Sequence, residues 1–273
     1  MLIDFHTHCF PDKISERALW QLQQNVIKMQ GKNYPPRSDG TLAGLLKCMA
    51  EDGVDISVVL PIATTPKQSG SINRFAREIN EVDGIVSFGS VHPLQSDWEA
   101  VLEDIKEFGL RGIKLHPEYQ GVFVTSDEVK RILIKCEELG LYTVFHAGED
   151  IGMPKPVHCM PECIRHMLDY VRGDKIIAAH MGGWGVWDDV EKYLVGTPVI
   201  LDTSYSAGFM PKEQFGRIVS RHGADKIVFG TDQPWHRAAE EVEYIESVGL
   251  TDSELEQIYH KTAERILGIS RTE

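Results

Sequence analysis

Leu2-Ile3-Asp4-Phe5-His6-Thr7-His8 is the first apolar run of the chain, and the fold turns on how it is read. It reads as a strand. Alternate strand residues share a face, so His6 and His8 point the same way, and two imidazoles side by side on a rigid strand can hold one metal ion. Further short β-rich runs follow at intervals of roughly 25 to 35 residues: Ile56–Ile62, Ile85–Val91, Gly112–His116, Tyr142–His146, Ile176–His180, Val199–Thr203 and Ile227–Gly230. Amphipathic segments separate them. Asp97–Phe108 carries Trp98, Val101, Leu102, Ile105 and Phe108 at helical spacing, and Ser126–Leu139 carries Ile132, Leu133, Cys136 and Leu139 on one face. Gly109 and Gly140 stand where a helix-terminating glycine belongs. Ile14–Met29 reads as a helix, about 31–40 as a long loop forming a lid or substrate wall, and Asp252–Leu267 as a final helix. About eight strand–helix units of this length specify an α/β fold, a parallel (β/α)8 TIM barrel spanning 1–273 as a single catalytic domain.

Composition narrows the function. Hydrophobic residues make up 42% of the 273, enough for a large core, and the net charge of −13 comes without the clustered Lys and Arg that a nucleic-acid surface needs. The acidity reads as solvated helix faces. No membrane span is expected, since no run approaches about 18 apolar residues. No leader is expected before Leu2, and five cysteines without framework spacing suit a reducing cytoplasm. His158, Cys159, Cys163 and His166 lie close in sequence, but they lack paired Cys-x-x-Cys knuckles, and packing or loop roles are the expectation over a small zinc site.

Working groups of such barrels lie at the C-terminal ends of strands. His6, His8, His116, His146 and His180 fall at strand ends, and Asp232 follows the eighth strand. A lone histidine is more often a satisfied polar residue than a ligand. Six polar groups converging on one mouth reverse that reading, because without a site each would need its own buried partner. Imidazole with carboxylate suits zinc, manganese, iron or nickel, and a catalytic zinc site keeps a position open for a water whose pKa falls to about 7. His180 and Asp232 are the candidates to move protons.

The runs Ile3-Asp4-Phe5-His6-Thr7-His8, Gly112-Ile113-Lys114-Leu115-His116-Pro117, Val144-Phe145-His146-Ala147-Gly148, Ala179-His180-Met181-Gly182-Gly183 and Phe229-Gly230-Thr231-Asp232-Gln233-Pro234-Trp235 together resemble the amidohydrolase superfamily. The resemblance covers the whole chain. Within the superfamily it is to amidohydrolase family 2, the branch that includes the aminocarboxymuconate-semialdehyde decarboxylase-like enzymes. It implies that His6, His8, His146 and Asp232 are metal ligands and that His180 polarises the metal-bound water. Zn2+ is the expected ion, with Mn2+, Fe2+ or Ni2+ as alternatives. One ion is favoured; two would require a carbamylated Lys114, with His146 and His180 holding the second.

As a free cation, Lys114 would bind a substrate carboxylate or pair with an inner acid such as Asp4. His116 is read as touching substrate or stacking beside the metal. Trp184, Trp187, Trp235 and His236 line the pocket or pack on helices, with Phe10, Glu118, Tyr119 and Gln120 in neighbouring loops. His92 is read as structural or supporting, and Asp202 as an acid behind a ligand. Gly182-Gly183 gives either room for substrate or a plain turn. His158, His166, His222 and His260 are given no catalytic role.

The resulting expectation is a metal-dependent hydrolase of a small, carboxylated amide or lactone, with a decarboxylase or hydratase of an aromatic or muconate-like acid as the alternative. A non-catalytic metal-binding scaffold belongs to another class, and the intact His180 and Asp232 argue against it. The expected partner is a small-molecule substrate, and the resemblance implies a homodimer.

Overall fold

The computed structural model describes residues 1–269. Eight strands follow in order: β1 (Ile3–Thr7), β2 (Ile56–Val59), β3 (Ile85–Ser87), β4 (Gly112–Leu115), β5 (Tyr142–Phe145), β6 (Ile176–Ala178), β7 (Ile200–Asp202) and β8 (Ile227–Val228). Each pairs in parallel with the next from β1 to β3 and from β4 to β8. The two arcs join into a barrel. The Gly89 N–H donates to the Gly112 carbonyl at 2.8 Å and the Lys114 N–H to Gly89 at 2.9 Å, bridging β3 to β4. Phe5 N–H to the Phe229 carbonyl at 2.8 Å and His8 N–H to that of Gln233 at 2.7 Å bridge β8 to β1. Helices cover the outside, as the strand–helix alternation requires.

The helices end where local chemistry says they should. The Ser126 side chain accepts from the Val129 N–H, opening the helix Asp127–Leu139, and Gly140 closes it in the left-handed conformation. The helix Asp12–Gln30 extends slightly past the expected Ile14–Met29. The last helical stretch runs from Asp252 to Leu267 but takes a π turn at Gln257–Lys261. That turn frees the Ile258 carbonyl, which accepts from the Phe229 N–H at 2.8 Å and ties the helix to β8.

Inside the barrel, Ile3, Phe5, Val58, Leu60, Phe88, Val144, Ile177, Ile200 and Val228 form a buried floor, closed by Ala263, Ile266 and Leu267 of the last helix. The alternate residues Ile113, Leu115, Phe145, Ala178 and Leu201 face the helix layer. All eight strands are shorter than the expected runs, β2 and β3 by the most, because the chain leaves the ladder at the mouth to form loops. Among the described residues no helix is long and apolar enough to cross a membrane, and all five cysteines are free.

Candidate metal centre

The first strand reaches the mouth through an irregularity. Its register against β2 shifts between Asp4 and Thr7, so simple alternation fails there. Phe5 stays in the floor, 5.7 Å edge-on to Phe88, yet His6 next to it also faces the barrel centre. Asp4 is displaced to the outer side, where it lines a small cavity with Leu45, Cys48 and Met49. There it accepts from the Thr231 N–H and hydroxyl at 3.0 and 2.6 Å and from the His6 N–H at 3.2 Å. Burial pushes its carboxyl up to about 8 against those bonds. The expected pairing of Lys114 with Asp4 is therefore corrected. Lys114 Nζ lies 3.2 Å from His6 Nε2, in the field of Asp202 and Asp232.

His6, His8 and Asp232 bring one ligand atom each within 4.8 Å of one another. The histidine tautomers are fixed from behind. His8 Nδ1 lies 2.8 Å from the Leu60 carbonyl, which can only accept, so Nδ1 carries the proton and Nε2 presents a lone pair. His6 Nδ1 lies 2.8 Å from Asp202 Oδ2, with the same consequence. Both Nε2 atoms face Asp232 Oδ1, at 3.1 Å from His8 and 3.4 Å from His6. Two lone pairs and a carboxylate oxygen converging at that range repel one another, and among the described residues only the His6 lone pair is met by a cation, the Lys114 ammonium at 3.2 Å. The donor set therefore fits a divalent metal ion of the kind nitrogen and carboxylate ligands take. Burial raises the Asp232 carboxyl, but the neighbouring His8, His6 and His180 outweigh it and hold it far below the usual carboxylate range. His6 falls to about 4 through burial and the neighbouring Lys114. Burial also lowers Lys114 to about 8, against the pull of Asp202 and Asp232.

His146 stands beside this trio rather than within it. Its Nδ1 is 3.0 Å from His180 Nε2, and the His180 ring centre is 5.2 Å from that of His6. His180 Nδ1 meets the Ser204 carbonyl at 3.1 Å, so His180 Nε2 accepts from His146. That leaves His146 Nε2 buried with no hydrogen-bond partner, a bare lone pair suited to a ligand. His116 stacks between Tyr119 (3.7 Å) and His146 (4.2 Å). Its Nδ1 accepts from the Tyr119 N–H at 3.5 Å and its Nε2 lies 3.2 Å from Asp150 Oδ2, so both nitrogens are engaged. Of the two roles expected for His116, stacking beside the site is the one the geometry displays.

Supporting groups that sequence reasoning missed are Ser204, which bonds Asp202, His6 and His180, and Asp150, from the loop after β5. The polar run Asp202-Thr203-Ser204 at a strand end was the available signal for the first. His180 and Asp232 both hold positive φ, 60° and 68°, a sparsely populated conformation that clusters at working sites. A Cβ on Gly182 would meet Leu201 and Val190 at 3.0 Å, and one on Gly183 would meet Pro161 and Val186 at 3.0 Å. These glycines are turn and packing residues rather than an opening for substrate. Trp187 donates Nε1–H to the His180 carbonyl, while Trp184 stays half-buried at the rim with Nε1 buried and unpartnered. Trp235, also half-buried, follows Asp232 and donates its N–H to the Asp232 carbonyl at 2.9 Å. His92 Nδ1 accepts from the Leu94 N–H, a local structural bond. The groups able to hold a metal among the described residues do not include His158, Cys159, Cys163 or His166.

Residues 3–269 match the model of the amidohydrolase family. The chain belongs to that family. No curated protein matches it. Among solved structures it is similar to a TIM-barrel protein from Bordetella bronchiseptica described as uncharacterised, at 18% identity and TM-score 0.77, with 98% of each chain covered. It is also similar to 5-carboxyvanillate decarboxylase from Sphingomonas paucimobilis, at 14% identity and TM-score 0.72, covering 98% of this chain and 99% of the other. A Pseudomonas putida protein described as a 2-pyrone-4,6-dicarboxylic acid hydrolase gives 17% identity and TM-score 0.66, covering 98% and 97%. At these identities the likeness is one of fold.

Proposed function

We propose that this amidohydrolase is a metal-dependent hydrolase of a small carboxylated amide or lactone. His6, His8, His146 and Asp232 are the proposed ligands, and His180 and Asp232 the proton-handling groups. The observation that carries the reading is the convergence of two imidazole lone pairs on the Asp232 carboxylate at the barrel mouth. When bound, a divalent ion supplies Lewis acidity and lowers the pKa of water to about 7. Zinc is the proposed ion; the same donors accept manganese, iron or nickel.

The chain's own groups divide the rest of the work. Asp232, turned toward His8 through Oδ1, takes a proton from the attacking water and delivers it to the leaving group. His180, fixed through Nδ1 by Ser204, orients that water. Lys114, buried beside His6, suits a substrate carboxylate, and Trp184 and Trp235 form the rim against which substrate rests. His116 keeps the His146 ring in place by stacking.

A second reading is a decarboxylase. It is favoured by the similarity to 5-carboxyvanillate decarboxylase and to 2,6-dihydroxybenzoate decarboxylase structures, and the substrates these names and that of the pyrone hydrolase give all carry carboxyl groups. In it, Asp232 takes a proton from water or a substrate hydroxyl and, with His180 orienting the substrate, passes it to the carbon that loses carbon dioxide. The test is zinc-loaded protein offered 2-pyrone-4,6-dicarboxylate and 5-carboxyvanillate, with ring opening and carbon dioxide measured separately. Ring opening without carbon dioxide is the expected result, and Asp232→Asn should lower it roughly 10²–10⁴-fold. Carbon dioxide release alone would replace the hydrolase reading with the second. Protein that binds no transition metal would sink both.

A further inference from the structure

His236 lies four residues beyond Asp232 and joins a group the mechanism above does not use. Its Nδ1 lies 2.7 Å from Oε1 of Glu241, a carboxylate that is 0% exposed and that also faces the Ala207 N–H at 3.2 Å. The His236 ring packs on Tyr205 (4.6 Å) and near Phe209 (6.2 Å), and Phe209 in turn meets Trp184 at 5.6 Å. Tyr205 directly follows Ser204, which touches both His6 and His180, so this aromatic wall stands on the rim of the metal centre.

A fully buried carboxylate is costly unless paired, so Glu241 calls for a positive partner. Burial raises Glu241 to about 7, and His236 opposes that rise. His222, a structural histidine, uses both nitrogens, with the Val199 carbonyl and the Gly196 N–H. His236 uses one. Its Nε2 makes no hydrogen bond among the described residues, and its side chain keeps 13% exposure at the mouth.

We propose that His236, held by Glu241, is a specificity-determining residue that binds a second carboxylate of a flat substrate lying against the edge of the Tyr205–Phe209 stack. The inference rests on the carboxylated-substrate reading above and adds where a second acidic group sits. Glu241 acts through His236 and is a positioning residue. In its imidazolium form, with Nδ1–H on the Glu241 carboxylate, His236 presents Nε2–H as a charge-assisted donor, which discriminates strongly between ligands that carry the matching anion and ligands that lack it.

The test is tryptophan-fluorescence titration of zinc-loaded protein with benzoate and with benzene-1,3-dicarboxylate. Wild type should bind the dicarboxylate at least ~10-fold more tightly. His236→Gln should bring the ratio of dissociation constants below about threefold, and Glu241→Gln should lower it as well. Zinc content and circular dichroism report whether each variant is folded; the part-buried His236→Gln stands as the deciding variant if Glu241→Gln does not fold. An unchanged ratio in His236→Gln, or no dicarboxylate preference in wild type, overturns the inference while leaving the metal reading intact. Failure to take up zinc, or to bind either acid, overturns the parent reading and this one together.

Discussion

The floor and the mouth of the barrel are built on the same strands and differ completely in chemistry. On β5 the inward residue changes from Val144 to His146 in one pleat, and on β7 from Ile200 to Asp202. On β1 the change takes a single step, from Phe5 to His6, because the register shifts there. The floor is apolar, close-packed and needs no partners. The mouth holds His6, Lys114, His116, His146, His180 and Asp202 almost out of reach of water, and each is tied to a named neighbour. The difference teaches where stability and chemistry reside. A rigid apolar plug lets the polar layer above it hold strained and mutually repelling groups in place.

If that division holds, damage to the floor should cost stability and spare metal affinity. Phe88 is fully buried and meets Phe5 edge-on at 5.7 Å. Phe88→Ala removes the ring and leaves a cavity, and about 3–5 kcal/mol of unfolding free energy should be lost in denaturant titration. Zinc affinity of the folded variant, measured by chelator competition, should stay within about threefold. A large affinity loss would mean that floor and mouth are one mechanical unit and that the comparison is drawn in the wrong place.

The parts of this division that were readable from sequence are those that obey a period. Alternation in Gly112-Ile113-Lys114-Leu115 turns Lys114 inward and sends Ile113 and Leu115 to the helices, as observed. The inward position of His146 followed from the same count; His180, three residues after the inward Ile177, breaks it and turns to the mouth through a positive φ. The register shift in β1 was not readable, because one extra residue leaves no mark on the apolar pattern, and Asp4 was therefore placed on the wrong side. Asp150 and Glu241 were also invisible. They meet His116 and His236 through loop paths and helix packing that no local spacing encodes. The stacking of His116 between Tyr119 and His146 depends on two strands and a short helix meeting in space.

His222 sharpens the comparison from the floor end, as a buried histidine without a site. It closes the helix Lys212–His222, with Nε2 on the Val199 carbonyl at 2.9 Å and Nδ1 accepting from the Gly196 N–H. Burial, with the nearby Lys226, lowers it from 6.5 to about 4. Protonation would destroy the acceptor at Nδ1. Between those two values the unfolded chain binds a proton that the folded protein refuses, so stability is present above pH 6.5 and lost as pH falls toward 4. The shift corresponds to about 3 kcal/mol. The stability difference between wild type and His222→Gln should therefore shrink by up to that amount from pH 7 to pH 4. A difference independent of pH would show that His222 tolerates charge.

Asp202 carries the smallest expected effect and the most direct view of how the mouth is organised. Its Oδ2 faces His6 Nδ1 at 2.8 Å, while Oδ1 accepts from the His180 and Ser204 N–H groups at 2.9 and 3.0 Å. Burial raises its carboxyl, but the charge and hydrogen bond of His6 and the charge of His180 hold it well below the usual carboxylate range, so it is ionised. In Asp202→Asn the amide oxygen can keep both backbone donors, and the loop after β7 keeps its anchor. The amide N–H₂ then faces His6 Nδ1 and can no longer accept its proton. His6 must shift that proton to Nε2, which is the nitrogen turned toward Asp232. Zinc affinity should fall about 10–100-fold by chelator competition, with thermal stability of the metal-free protein little changed. An affinity within twofold of wild type would mean that Ser204, 3.0 Å from the same nitrogen, fixes the tautomer instead. In that case a neutral hydroxyl rather than a buried charge sets the polarity of the mouth.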